Sequence, residues 1–169
     1  YQRCKACRRC PSYRLRNRVV VARGRLPAQV LFIGEAPGQS EDIIGIPFCG
    51  PAGRLLDRII ASTPLYDGSV RYCIANLVCC IPKDEGGDKT LEPTKQSILA
   101  CRPSLQRLVS LCHLKLLFRV GRLAAEWAAA PKGCAVVDLL HPAAILRMDV
   151  SQRGLAIQRC AVAIEDAVQ

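Results

Sequence analysis

The side chains best suited to chemistry are few and far apart. Glu35 and Glu41 lie in a glycine- and proline-rich run that opens Gly34-Glu35-Ala36-Pro37-Gly38 and continues to Gly50, with Phe48 near its end. Asn76 stands alone in an apolar stretch, and His141 is one of 2 histidines in 169 residues. A carboxylate can place a water, and an asparagine offers a donor and an acceptor together. A histidine can donate to an oxygen that gathers charge, and a phenylalanine ring can stack on a planar ligand. A second set is thiol-based. Among 11 cysteines, Cys4, Cys7 and Cys10 follow CxxCxxC spacing, and Cys80 and Cys101 stand farther along. Four thiolates suit a structural zinc or an iron–sulfur cluster equally by spacing. Each group also has a plainer reading. A lone histidine is more often structural, a strand-end asparagine a turn residue, and a phenylalanine a core ring. Cys49, Cys73, Cys112, Cys134 and Cys160 read as small buried hydrophobes, and His113 as structural.

The elements that must position these residues follow from periodicity. Short apolar runs at Val30–Ile33, Arg71–Val78, Leu114–Val120 and Ala135–Leu140 predict four core strands. Val19–Ala22 allows a further short strand. Helical spacing predicts helices over Ala52–Ala61, from a Thr94 cap to about Cys112, over Arg122–Ala130, over Ala143–Met148 and over Gln152–Val168. Alternating strands and helices predict an α/β fold: a three-layer αβα sandwich around a central, mainly parallel, four-stranded sheet. Residues 1–169 are expected to form a single domain, with 1–27 a basic, cysteine-rich arm. Glu35, Asn76 and His141 all fall at or just past strand ends, which share one rim in such a sheet and face ligands there. The stretch from Gly34 to about Pro51 reads as one long loop, far beyond the usual two to six residues of a βα connection, and loops of that length are commonly functional.

Bulk properties narrow the partner. The chain carries 24 Lys+Arg against 14 Asp+Glu, a net charge of +10, which favours a polyanion such as nucleic acid. Arginine dominates the basic residues, and its fork suits phosphate. No apolar run approaches a membrane span and no signal peptide is visible, so the expectation is an intracellular, cytoplasmic protein without a membrane partner. With 50% hydrophobic residues, disorder is excluded as a class.

The run GEAPGQSEDIIGIPFCGPAGRLLDRI resembles the first motif of the family 4 uracil-DNA glycosylases, which carry an iron–sulfur cluster. Asn76-Leu77-Val78-Cys79-Cys80-Ile81-Pro82 and HPAAILR, beginning at His141, resemble two further motifs, in order. The resemblance implies a glycosylase that hydrolyses the N-glycosidic bond of a flipped-out uracil in single- or double-stranded DNA and so begins base excision repair, acting as a monomer. It implies a 4Fe–4S cluster on Cys7, Cys10, Cys80 and Cys101. It implies catalytic roles for Glu35, beside the attacking water, and His141, on the base oxygen. Gly34, Ala36, Glu41, Phe48 and Asn76 are then substrate-binding, with Phe48 stacking on the base, Asn76 reading its edge and Glu41 barring a thymine methyl. Related branches place Asp or Asn where this chain has Ala36. A non-catalytic iron–sulfur paralogue that binds nucleic acid, and an iron–sulfur redox sensor, are the competing expectations.

Overall fold

A computed structural model describes residues 2–169. In chain order its elements are α1 (Gln2–Lys5), β1 (Ala22–Gly24), β2 (Val30–Gly34), α2 (Gln39–Ile44), α3 (Pro51–Ala61), β3 (Tyr72–Asn76), α4 (Lys95–Ser110), β4 (Leu116–Val120), α5 (Arg122–Trp127), β5 (Ala135–Leu139), α6 (Pro142–Leu146) and α7 (Val150–Val168). The sheet has five strands in the order β1-β3-β2-β4-β5. Four are parallel, as expected, and β1 joins the edge antiparallel to β3, pairing Ala22 with Ala75 and Gly24 with Cys73. The expected four-stranded sheet is thus one strand short. The small strand forms at Ala22–Gly24 instead of Val19–Ala22, because the residues that reach the β3 edge are the ones that find backbone partners.

Both faces of the central strands are buried, which is why they read as unbroken apolar runs. Leu31, Ile33, Cys73, Ala75 and Leu117 face one core with Ile98 and Leu108 of α4 and Leu123 of α5. Val30, Phe32, Ile74, Leu116 and Phe118 face the other with α3, α6 and α7. Phe32 and Phe118 stack across β2 and β4 at 4.6 Å between ring centres. The α3 stripe Leu55, Leu56, Ile59 and Ile60 is fully buried. Thr94 caps α4 as expected, its hydroxyl accepting from the Ser97 N–H.

One helix was hidden in the long connection. α2 lies inside Gly34–Pro51, since Glu41 Oε2 accepts from the Gly38 N–H at 3.1 Å and Gly45, at φ 86°, ends the last turn. Periodicity misses it because Ile43 and Ile44 point outward, 64% and 52% exposed. The adjacent Asp42 is buried and binds the arm. It accepts from the Asn17 N–H (2.9 Å), Asn17 Nδ2 (2.7 Å), the Arg18 N–H (3.2 Å) and Lys83 Nζ (3.3 Å). A buried carboxylate needs such donors, and here they order residues 17–18 against the loop. Among the described residues no helix is long and apolar enough to cross a membrane.

Candidate active site and cysteine cradle

The carboxyl ends of β2, β3, β4 and β5 form one rim. Register sets Gly34 beside Asn76 and Val120 beside Leu139, so the residues that follow each strand converge. The order of strands reverses about β2, and crevices at such points bind ligands in open α/β sheets.

Three glycines bring the side chains together. At Gly34 a Cβ would overlap the Phe48 ring and lie 2.6 Å from Asn76 Oδ1, so only glycine lets ring and amide meet over the strand end. At Gly121 a Cβ would lie 2.7 Å from Glu35 Oε1 and 3.1 Å from His141 Cδ2, so the carboxylate and the imidazole are neighbours. Phe48 stands between the two halves, its ring centre 6.0 Å from that of His141. The Phe48 backbone takes φ +54°, a conformation that costs a branched-chain or aromatic residue about 1–3 kcal/mol. Two devices hold it there. Arg23 of β1 donates to the Pro47 carbonyl (2.9 Å) and the Phe48 carbonyl (3.4 Å) while paired with Asp57. Gly53 of α3 leaves no room for a Cβ against the Phe48 carbonyl. The Gly53→Ala protein is therefore expected to lose about 1–3 kcal/mol by overpacking, read as a lower urea midpoint at unchanged slope.

His141 caps α6, its Nδ1 accepting from the Ala143 N–H at 3.1 Å. The proton of the neutral ring therefore sits on Nε2. Burial lowers the His141 pKa below its usual 6.5; nearby Glu35 opposes this, and the charge of Arg147 adds to it. The ring is neutral at pH 7. The stability consequence has a definite sign. Above pH 6.5 neither folded nor unfolded His141 binds a proton, and this residue leaves stability flat. As the pH falls from 6.5 toward the lower folded value, the unfolded chain takes up a proton that the folded chain resists, so stability drops. Thermal melts across this range should show a steeper acid loss for the native protein than for His141→Gln.

Asn76 is 4% exposed, and its Oδ1 is buried with no hydrogen-bond partner among the described residues. An unmet buried acceptor costs about 1–3 kcal/mol and calls for an explanation. Glu35 Oε1 accepts from the Leu123 N–H (3.2 Å) in the first turn of α5. Glu41 is the exception among the motif carboxylates. Both of its oxygens are engaged by the loop, Oε2 by Gly38 and Oε1 by the Gly50 N–H at 2.8 Å, so it staples the loop at both ends. Ala36 packs against the core with no polar atom of its own side chain to offer.

The cysteines gather elsewhere. Cys4, Cys7, Cys10, Cys79, Cys80 and Cys101 line one cavity with Arg9, Arg16 and Ser104. Arg9 Nε donates to Cys7 Sγ (3.4 Å), Arg16 Nη1 to Cys80 Sγ (3.2 Å) and the Cys79 N–H to Cys101 Sγ (3.3 Å). Burial raises the Cys7 thiol, but the hydrogen bonds and charge of Arg9 outweigh it and the net pKa is lowered. The side-chain hydrogen bond from Cys79 takes Cys101 down to about 6. Burial pushes Cys80 up to about 11 against the pull of Arg16. Among the described residues no group of three or more His, Cys, Asp or Glu is arranged to hold a single metal ion.

Glu35, Phe48, Asn76 and His141, chosen from sequence, thus share one rim, with Gly34 between them, and the four chosen cysteines share one cavity. Sequence reading missed Arg23, Gly53 and Gly121, which position the rim, and Asp42. Gly121 had a signal, standing between a strand and a helix at the same rim; Arg23 was lost among the arginines of the arm.

The chain belongs to the uracil DNA glycosylase superfamily, whose family model matches residues 21–161. Within it, the chain is similar to the type-4 uracil-DNA glycosylase of Saccharolobus solfataricus, 36% identical over 118 residues, 70% of this chain and 52% of that protein. It is also similar to that of Thermotoga maritima, 29% identical over 162 residues, 86% of this chain and 81% of that protein. It spans little more than half the length of the Saccharolobus relative. The crystal structure of wild-type Pedobacter heparinus SMUG2 has the same fold, with TM-score 0.64 at 16% identity over 82% of this chain and 75% of that one.

Proposed function

We propose that the chain is a uracil-DNA glycosylase of the type-4 class, acting as a monomeric single domain on uracil in single- or double-stranded DNA. The observation that carries this reading is the orphaned Asn76 Oδ1. Uracil offers an N3–H donor beside its O4 acceptor, so one asparagine amide satisfies both; cytosine presents an acceptor at N3 and a donor at the neighbouring position and leaves the amide mismatched. Phe48, next to that amide, supplies a stacking face for a base pulled from the helix.

Breaking the N-glycosidic bond leaves negative charge on the departing base and positive charge on the sugar. His141 Nε2–H, fixed by the Ala143 bond to Nδ1, donates to the uracil O2 as that charge grows. A neutral imidazole serves here as a donor, and its lowered pKa keeps it so. Glu35, held by Leu123 beside His141, favours the developing sugar cation and holds the attacking water; its carboxylate takes the water's proton as the water oxygen joins the sugar carbon and the uracil leaves as an anion. With Ala36 at the neighbouring position, Glu35 is the carboxylate left for that task. Glu41 keeps the loop shut around the base, which puts its effect on thymine through loop shape.

A 4Fe–4S cluster on Cys7, Cys10, Cys80 and Cys101 fits the cavity. Its lining brings these four cysteines together, and four thiolates are the donor set that such a cluster takes. Donors from Arg9, Arg16 and the Cys79 N–H end on three of those four sulfurs, the kind of contact that tunes such clusters. The cluster would tie the arm to α4, and no step of base release passes through it. Cytoplasmic DNA is the expected setting.

The test is direct. Purified protein should release uracil from a uracil-containing oligonucleotide and leave alkali-labile abasic sites, with Asn76→Ala slower by about 10²-fold or more as the base loses both bonds. Salt-dependent DNA binding with no uracil released above the Asn76→Ala level would remove the reading.

A further inference from the structure

The loop that carries Phe48 also carries an apolar lip. Ile43, Ile44 and Ile46 are 64%, 52% and 46% exposed within four residues, and the chain turns from them directly into Phe48. Three isoleucines in water side by side are unusual for a surface loop in a chain of charge +10. Their setting says what they face. Ile43 borders an open groove whose other walls are Lys5, Arg16, Asn17, Arg18 and Val19. The Arg18 side chain lies along Gly45, its Cδ 3.1 Å from where a Cβ would stand, so its stem packs under the lip. The Arg18 backbone N–H is tied to Asp42, and no carboxylate among the described residues pairs with its guanidinium. The arrangement is thus cations along a groove, an apolar ridge at its edge, and the Phe48 ring two residues beyond the ridge.

We propose that this lip and groove hold duplex DNA beside the flipped nucleotide. Ile43, Ile44 and Ile46 press into the base step left open by flipping, and Arg18 takes a flanking phosphate. Apolar side chains between base steps, with arginine on the adjoining backbone, are how proteins hold a kinked duplex open. Asp42 and Glu41 give the ridge the stiffness this needs, fixing α2 to the arm on one side and to Gly50 on the other. The inference rests on the glycosylase reading for its choice of partner, but it is read by binding and not by turnover.

The probe is a duplex with a tetrahydrofuran abasic analogue and 2-aminopurine as its neighbour, which no glycosylase activity consumes. The wild-type protein should bind it and raise the 2-aminopurine fluorescence. Ile43→Ser/Ile44→Ser should lose that rise and weaken binding about tenfold, with its salt dependence unchanged. Arg18→Ala should keep the rise and lower the slope of log K against log salt by about one. Ile46→Ser alone should give an intermediate fluorescence rise, and melts of all variants should match the wild type because the replaced side chains are exposed. Unchanged fluorescence and affinity in the isoleucine variants, or an unchanged salt slope in Arg18→Ala, overturns the proposal. A wild-type protein that gives the fluorescence rise yet releases no uracil overturns the glycosylase reading and leaves the lip in place.

Discussion

Uracil release by the His141→Ala protein should fall by about 10²–10³-fold at saturating substrate, the usual effect of losing one donor aimed at a developing anion. The Michaelis constant should move far less. On the proposed mechanism the uracil O2 is a weak acceptor in the ground state and the Nε2–H bond strengthens only as the base takes on charge, which would place the interaction in the transition state. The same replacement removes the acceptor for the Ala143 N–H at the start of α6. A His141→Asn protein, whose side-chain oxygen can still cap the helix, separates the two effects. It should regain the stability lost by alanine while staying slow, because its short amide stops before the base. Single-turnover rates of uracil release and thermal melts on the three proteins decide this. A His141→Ala enzyme within threefold of the wild type would show that base release runs without this donor.

Replacing Cys101 by serine should strip the proposed cluster and loosen the arm together. The visible iron–thiolate absorbance expected of the loaded protein should vanish, and protease should cut the arm faster than it does in the wild type. The mean melting temperature should drop by roughly 10 °C, since about 3–5 kcal/mol is the usual cost of removing one partner from a buried charged set. Cys101 is the informative choice because it sits on α4, inside the body of the fold, and its sulfur takes the Cys79 N–H. Serine at Cys112, which lies outside the cavity lining, should leave colour, arm and melting unchanged. A colourless wild type, prepared without oxygen and with iron and sulfide supplied, would point away from a cluster altogether. None of Glu35, Phe48, Asn76 and His141 lines the cysteine cavity, so a cluster-free protein that still folds should release uracil at a reduced and not abolished rate.

The two sites also explain the uneven use of cysteine and arginine. Arg9 and Arg16 donate to sulfur at the cavity, while Arg8, Arg14, Arg18 and Arg25 of the arm are exposed, where a polyanion would meet them. Membership of the superfamily agrees with that surface.

Much of this protein is written locally in its chain. The four parallel strands, the helices α3, α4 and α7, and the Thr94 cap are legible because each rests on neighbours a few residues away: apolar runs, helical spacing and a hydroxyl three residues before the N–H it caps. The rim residues Glu35, Asn76 and His141 were legible for a related reason, since strand ends in a parallel sheet must lie together. What the sequence left open depends on contacts across long separations. The antiparallel strand β1 exists because Ala22–Gly24 meets the open edge of β3, some fifty residues on. α2 was concealed because its isoleucines face solvent and its start is set by the Glu41 carboxylate. Arg23 holds Phe48, and Gly121 lets Glu35 meet His141, only because the sheet folds those distant stretches against each other; no spacing along the chain encodes an approach between residues that far apart.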